Sequence, residues 1–201
     1  LSANFFFFIE FTNVRKNVQP YLVKQMQDGF KIAVMGLTTS EMFYKWRVKK
    51  HGNVANPLDK AKGVAKYLKE KAKADVVIAL THIGIDDDKK LAKDSRYIDY
   101  IVGGHSHSII DPRKTQIKNK KNKMVPISQM GEHGQYVRLV KLDWDGKNLK
   151  LLDFKRIEVD SLTPESLDIQ KKIAQTEESL ERAYPHINEI VGHTSAPIIG
   201  N

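Results

Sequence analysis

Two stretches decide how this chain folds: Asp75-Val76-Val77-Ile78-Ala79-Leu80-Thr81-His82-Ile83-Gly84 and Ile98-Asp99-Tyr100-Ile101-Val102-Gly103-Gly104-His105-Ser106-His107. In each, a run of β-branched and aliphatic residues with the composition of a buried strand leads to a histidine. Between them, Asp86-Asp87-Asp88-Lys89-Lys90-Leu91-Ala92-Lys93 reads as a short helix, acidic in the first turn where the helix dipole favours negative charge. Strand, helix, strand over this length is a βαβ unit, and its two strands run parallel. Parallel strands end on the same edge of a sheet, so His82 and His105 emerge side by side at the carboxyl rim. Adjacent strands lie about 4.8 Å apart, which suits two imidazoles converging on one metal ion.

His107 adds to this rim. Residues two apart in an extended loop present side chains to neighbouring points, so His105 and His107 can serve two ions, which in hydrolytic sites sit about 3.5–4 Å apart. Gly103 and Gly104 let the backbone turn tightly where a side chain would crowd metals. A lone histidine at a strand end more often bonds a backbone carbonyl. Three on one rim, behind a double glycine, point to metal.

Gly-Gly-His-Ser-His after a hydrophobic strand, with Thr-His-x-Gly one βαβ unit earlier, resembles the calcineurin-like metallophosphoesterases and, within them, the 5′-nucleotidase branch. Other segments follow in the same order. Leu1-Ser2-Ala3-Asn4 resembles the stretch after the family's Gly-Asn-His-Glu motif, and Lys31–Thr39 its next strand and loop. Val125-Pro126-Ile127-Ser128-Gln129-Met130-Gly131-Glu132-His133-Gly134 resembles a later strand and turn. The likeness runs over most of residues 1–160.

The resemblance implies an α/β fold, part of an αββα sandwich of metallophosphoesterase type, followed by a linker helix. Residues 1–160 would be the carboxyl-proximal part of the catalytic domain, and 161–201 a helix leading to a second domain beyond the chain. It implies hydrolysis of a phosphate ester, nucleotide to nucleoside plus phosphate, assisted by two divalent ions, zinc or manganese. His82 and His105 would hold one ion and His107 would approach the other. Nucleoside monophosphates, or 2′,3′-cyclic nucleotides in a related branch, are the implied substrates. The family's Asp-x-His, Gly-Asp and Gly-Asn-His-Glu motifs precede Leu-Ser-Ala-Asn and do not occur in this sequence. The expectation is therefore half a dinuclear site, at most one ion held weakly by this chain alone, and missing parts of its own domain as partners. The competing expectation is an inactive remnant that acts as a binding or adhesion module.

The chain has 201 residues, enough for one domain with a sizeable core, and no cysteine, which excludes thiolate ligation, cysteine nucleophiles and disulfides. No apolar run approaches the roughly 20 residues of a membrane span; Phe5-Phe6-Phe7-Phe8-Ile9 is too short and reads as a buried strand or adhesive loop. The family likeness places the protein outside the cytoplasm. Net charge is +9 and concentrates in the run from Arg113 to Lys123. Lacking interleaved aromatics, that run reads as a solvated hairpin and not as a platform for nucleic acid, so no specific nucleic-acid partner is expected.

The remainder reads as scaffold. Asn56 and Pro57 open a helix whose Leu58, Ala61, Ala65, Leu68 and Ala72 form one apolar stripe. Tyr136–Trp144 and Leu149–Val159 form a β-hairpin about Asp145-Gly146, with Trp144 as packing at a strand end. An amphipathic helix covers Glu165–Ala183. Thr38 and Thr39, at another strand end, are candidates to line the site. His133 would stand behind the ligands, Asp99 outside them, and His51, His186 and His193 on the surface.

Overall fold

The computed structural model of the chain describes residues 5–7, 18–40 and 52–197. They fall into two units, Leu1–Val159 and Asp160–Asn201.

In the first unit, short β1 (Phe5–Phe7) pairs antiparallel with β4 (Gly52–Val54). Of the expected Phe5–Ile9 strand, Phe5–Phe7 form β1, while Phe8 and Ile9, the Leu1–Asn4 stretch and His51 lie outside the described residues. The principal sheet is built from β2 (Tyr21–Gln25), β3 (Lys31–Thr38), β5 (Val76–His82), β6 (Tyr100–Val102), β7 (Ile109–Ile110), β8 (Gln116–Lys118) and β9 (Met124–Met130). Its order is β2-β3-β5-β6-β9-β7, with β8 also on β9, and β3, β5, β6 and β9 are mutually parallel. The βαβ unit is as the sequence indicates: β5 and β6 are neighbours, with Leu80 opposite Val102, and the crossover carries helix α2 (Ile85–Asp94).

Period-two alternation gives the sheet two different faces. Ala33, Met35 and Leu37 on β3, Val77 and Ala79 on β5, Ile101 on β6 and Ile127 on β9 are buried together with Ala61, Ala65, Leu68, Leu91 and Ala92 from the helices. Those come from α1 (Pro57–Glu70) and α2, which therefore cover this face. Asn56 Oδ1 accepts from Leu58 N (2.9 Å) and Asp59 N (3.3 Å), capping α1 behind Pro57. The other face carries Leu80 and Val102, both exposed, and ends in His82.

Two polar devices fix the amino ends of the strands. Asp99 Oδ2 accepts from Val77 N at 2.8 Å and pairs with Lys69 Nζ at 2.7 Å, the carboxylate being almost fully buried. Asp99 thus holds the start of β6 against β5 and α1, at the end of the sheet away from the histidines. The lysine-rich run is the β8–β9 hairpin: Asn119 Oδ1 accepts from Lys121 N (2.8 Å) and Lys123 N (3.0 Å) across its turn. Lys120 pairs with Asp94, and Lys121 lies over the Tyr97 ring at 4.1 Å.

Strands β10 (Tyr136–Trp144) and β11 (Leu149–Glu158) form the second hairpin, with a register shift at Lys141/Leu142. Arg138 Nη1 reaches back to Ile110 O (2.6 Å), while Trp144 sits 6.5 Å from the Phe30 ring. The second unit contains helix α3 (Leu167–Ala183), amphipathic as its sequence indicates.

Candidate metal centre

His82 is the last residue of β5, and Thr38, the last of β3, stands directly beside it in register. The β6 strand ends two residues before Gly104, and that glycine lies flat against His82. A Cβ at position 104 would sit 3.0 Å from His82 Nδ1 and 3.3 Å from Thr81 O. Gly103 is equally confined, because a Cβ there would fall 2.3 Å from Asp88 Oδ2. The double glycine therefore serves close approach. The unusual torsions fall on the histidines instead: His105 has φ 84° and His107 φ 53°, left-handed values that cost a non-glycine residue free energy.

The resulting pair is close. The His82 and His105 rings have centroids 5.1 Å apart and planes inclined at 64°. Desolvation, followed by the neighbouring His105 and His107 imidazoles, pushes the His82 pKa below its ordinary value. That direction favours the neutral imidazole, the form that can donate a lone pair to a metal.

His107 is engaged differently. Its Nδ1 lies 2.5 Å from Glu132 Oε2, and His133 Nε2 approaches the same oxygen at 3.2 Å. Glu132 thus links two histidines from separate loops. Thr39 is buried, and His186 and His193 are exposed in the second unit.

Backbone and side-chain bonds stitch the two histidine loops together. Gly84 N donates to Gly104 O (3.1 Å), and Ile85 N donates to Ser106 Oγ (3.2 Å). Ser106 Oγ donates to Gln129 Oε1 (2.8 Å), which also accepts from Ser108 N (2.9 Å). Beneath them Gly103 N donates to Ser128 O (2.8 Å). The Gly-His-Ser-His loop is thus tied to the first turn of α2 on one side and to β9 on the other.

This donor set fits a divalent ion in its chemistry. Two imidazoles stand side by side, on backbone that leaves no room for other side chains. Among the described residues no group of three or more His, Asp or Glu side chains gathers in ligating geometry; the pair alone would supply two of the four or more donors such ions take.

Two features escape a reading of the sequence. One is the Glu132 bridge, formed between loops with no shared motif. The other is Asp88, which the sequence presents as one of three acidic residues at a helix start. It is fully buried, whereas Asp86 is exposed and Asp87 only partly covered. The available signal is spacing, since Asp88 precedes Leu91 and Ala92 by three and four residues and so shares their apolar face.

No family model matches the chain. It is 31% identical over 186 residues to the trifunctional nucleotide phosphoesterase protein YfkN of Bacillus subtilis (strain 168), covering 91% of this chain and 12% of that protein. Protein UshA of Yersinia enterocolitica is 28% identical over 218 residues, covering 92% of this chain and 36% of that one. The fold superimposes on the NAD nucleotidase of Haemophilus influenzae with a TM-score of 0.75 at 20% identity, over 96% of this chain and 47% of the other. The 5′-nucleotidase precursor of Thermus thermophilus gives 0.70 at 24% identity, over 90% and 38%. The chain thus spans about an eighth and about a third of the two curated relatives' own lengths.

Proposed function

We infer the function of this chain from its family: it belongs to the 5′-nucleotidase branch of the calcineurin-like metallophosphoesterases. The function proposed is hydrolysis of a nucleotide phosphoester to nucleoside and phosphate, with this chain contributing part of a two-metal site. The observation that carries the proposal is the His82–His105 pair on the carboxyl rim of adjacent parallel strands, 5.1 Å between ring centroids.

In this reading His82 and His105 would hold one zinc or manganese ion, and His107, held by Glu132, would serve a second. Such ions polarise phosphoryl oxygens and lower the pKa of bound water, supplying the nucleophile. The chain's own residues do the rest by position. Gly103 and Gly104 keep the rim open, and burial, which lowers the His82 pKa, favours the lone-pair-bearing neutral imidazole. The Ser106–Gln129 bond fixes the loop between His105 and His107. Helix α3 is proposed to lead to a further domain, and the family likeness to place the protein outside the cytoplasm. No helix among the described residues is long and apolar enough to cross a membrane.

The test is phosphate release from AMP and from 2′,3′-cyclic AMP with added zinc or manganese, for wild type and for His82→Ala and His105→Ala. Metal-dependent release that drops about a hundredfold or more in both variants supports the reading. Metal binding that both substitutions abolish, without turnover, is the result half a site gives; no turnover with metal binding unchanged in both variants favours the binding-module reading. Release that survives both substitutions overturns the assignment of the pair.

A further inference from the structure

The Asp88 carboxylate is an expensive thing to keep in a core. It lies fully buried on the face of α2 that carries Leu91 and Ala92. Its Oδ1 accepts from Thr81 Oγ1 at 2.6 Å, while Oδ2 has no hydrogen-bond partner among the described residues. Burial pushes its pKa up to about 7, against the lowering effect of the Thr81 bond. A buried polar atom left unpartnered calls for an explanation in the local structure.

The surroundings supply one. Thr81 immediately precedes His82, and its hydroxyl also approaches Val102 O at 3.4 Å. Oδ2 occupies the space a side chain at 103 would take, 2.3 Å from an ideal Cβ there. Asp88 N is bonded to Gly84 O (3.0 Å), and Gly84 N to Gly104 O (3.1 Å). One carboxylate in the first turn of the crossover helix therefore touches the residue before one histidine and abuts the backbone two residues before the other.

We propose that Asp88 is a positioning residue for the His82–His105 pair, a wedge that sets how the ends of β5 and β6 stand to one another. Thr81 fixes the wedge, and the missing side chain at Gly103 receives it. The residue touches neither imidazole and acts through the strand ends. Its consequence for catalysis rests on the metal reading above, but its effect on the two rings does not.

The experiment uses the metal-free chain and four variants: Asp88→Ala, Asp88→Asn, Gly103→Ala, and the double Asp88→Ala/Gly103→Ala. Wild type and Asp88→Asn should show nuclear Overhauser contacts between the His82 and His105 imidazole protons. Asp88→Ala and Gly103→Ala should lose them. Gly103→Ala should lower the thermal midpoint in wild type but not further in the Asp88→Ala background, where the clash with Oδ2 is gone and the nearest of the remaining contacts is Ser128 O at an ordinary 3.5 Å. Where Asp88→Ala does not fold, Thr81→Val removes the same anchor and should weaken the same contacts. Zinc affinity, measured calorimetrically, should fall about tenfold in Asp88→Ala and recover in Asp88→Asn.

Persistent ring contacts in Asp88→Ala, or an equal Gly103→Ala penalty with and without Asp88, would overturn the proposal. Ring contacts that follow the expected pattern in a wild-type chain that takes up no zinc would sink the metal reading and leave the positioning role standing.

Discussion

Replacing Asp88 by Asn should make the protein's stability respond differently to pH, and the sign follows from burial. In the unfolded chain the Asp88 carboxyl ionises near its ordinary 3.8, and in the fold near 7. Below pH 3.8 both states hold the proton and the group contributes no difference. As pH climbs from about 4 to about 7, the unfolded state releases its proton first and is favoured, so wild type loses stability over this window. At about 1.4 kcal/mol per pH unit the loss approaches roughly 4 kcal/mol as an upper figure, with about 1–3 kcal/mol expected after local relaxation. Asn has the same shape, still accepts from Thr81 Oγ1, and does not titrate. Urea unfolding of both proteins at about pH 4.5 and about pH 8 isolates the effect, because every other ionisable group cancels in the difference. The stability of Asp88→Asn relative to wild type should rise by about 1–3 kcal/mol between the two pH values. A difference that is flat with pH, or that falls, would refute the reasoning that this carboxylate is held in an apolar site.

The remaining expectations are simpler. Lys69→Met leaves the buried Asp99 charge without its partner at 2.7 Å and should cost about 3 kcal/mol, lowering the thermal midpoint by roughly 6–12 °C by circular dichroism; an unchanged midpoint would show the pair to be idle. Gly104→Ala has a backbone torsion that any residue adopts, but its methyl meets His82 Nδ1 at 3.0 Å. It should move the midpoint by no more than about 3 °C while weakening zinc binding about tenfold, and equal zinc affinity would count against the packing argument. The Lys120–Lys123 turn engages Asp94 and the Tyr97 ring and should not hold single-stranded DNA in about 150 mM salt by fluorescence anisotropy; a salt-resistant complex would contradict that.

Much of the fold was legible because hydrophobic period and parallel connectivity are local properties. Val76–His82, Ile85–Asp94 and Tyr100–Val102 follow from two apolar runs and the acidic helix start between them. Asn56-Pro57 announces the first helix, and Asp145-Gly146 the last hairpin. What could not be read is what neighbouring loops do to each other. The spacing rule that put His105 and His107 on one rim says nothing of Glu132, which takes up His107 and His133. The double glycine looked like a device for turning the chain, yet the positive torsions lie at His105 and His107. Asp88, counted as one charge among three, is set apart only by the phase of the helix relative to the sheet.

The central claim, that His82 and His105 act as one metal-holding pair, is met most directly by zinc titration calorimetry on the wild-type chain, His82→Ala and His105→Ala. The account predicts one dominant zinc event in wild type, with each substitution abolishing it or weakening it about a hundredfold. Equal zinc uptake by all three proteins, or uptake lost in one variant alone, would contradict it.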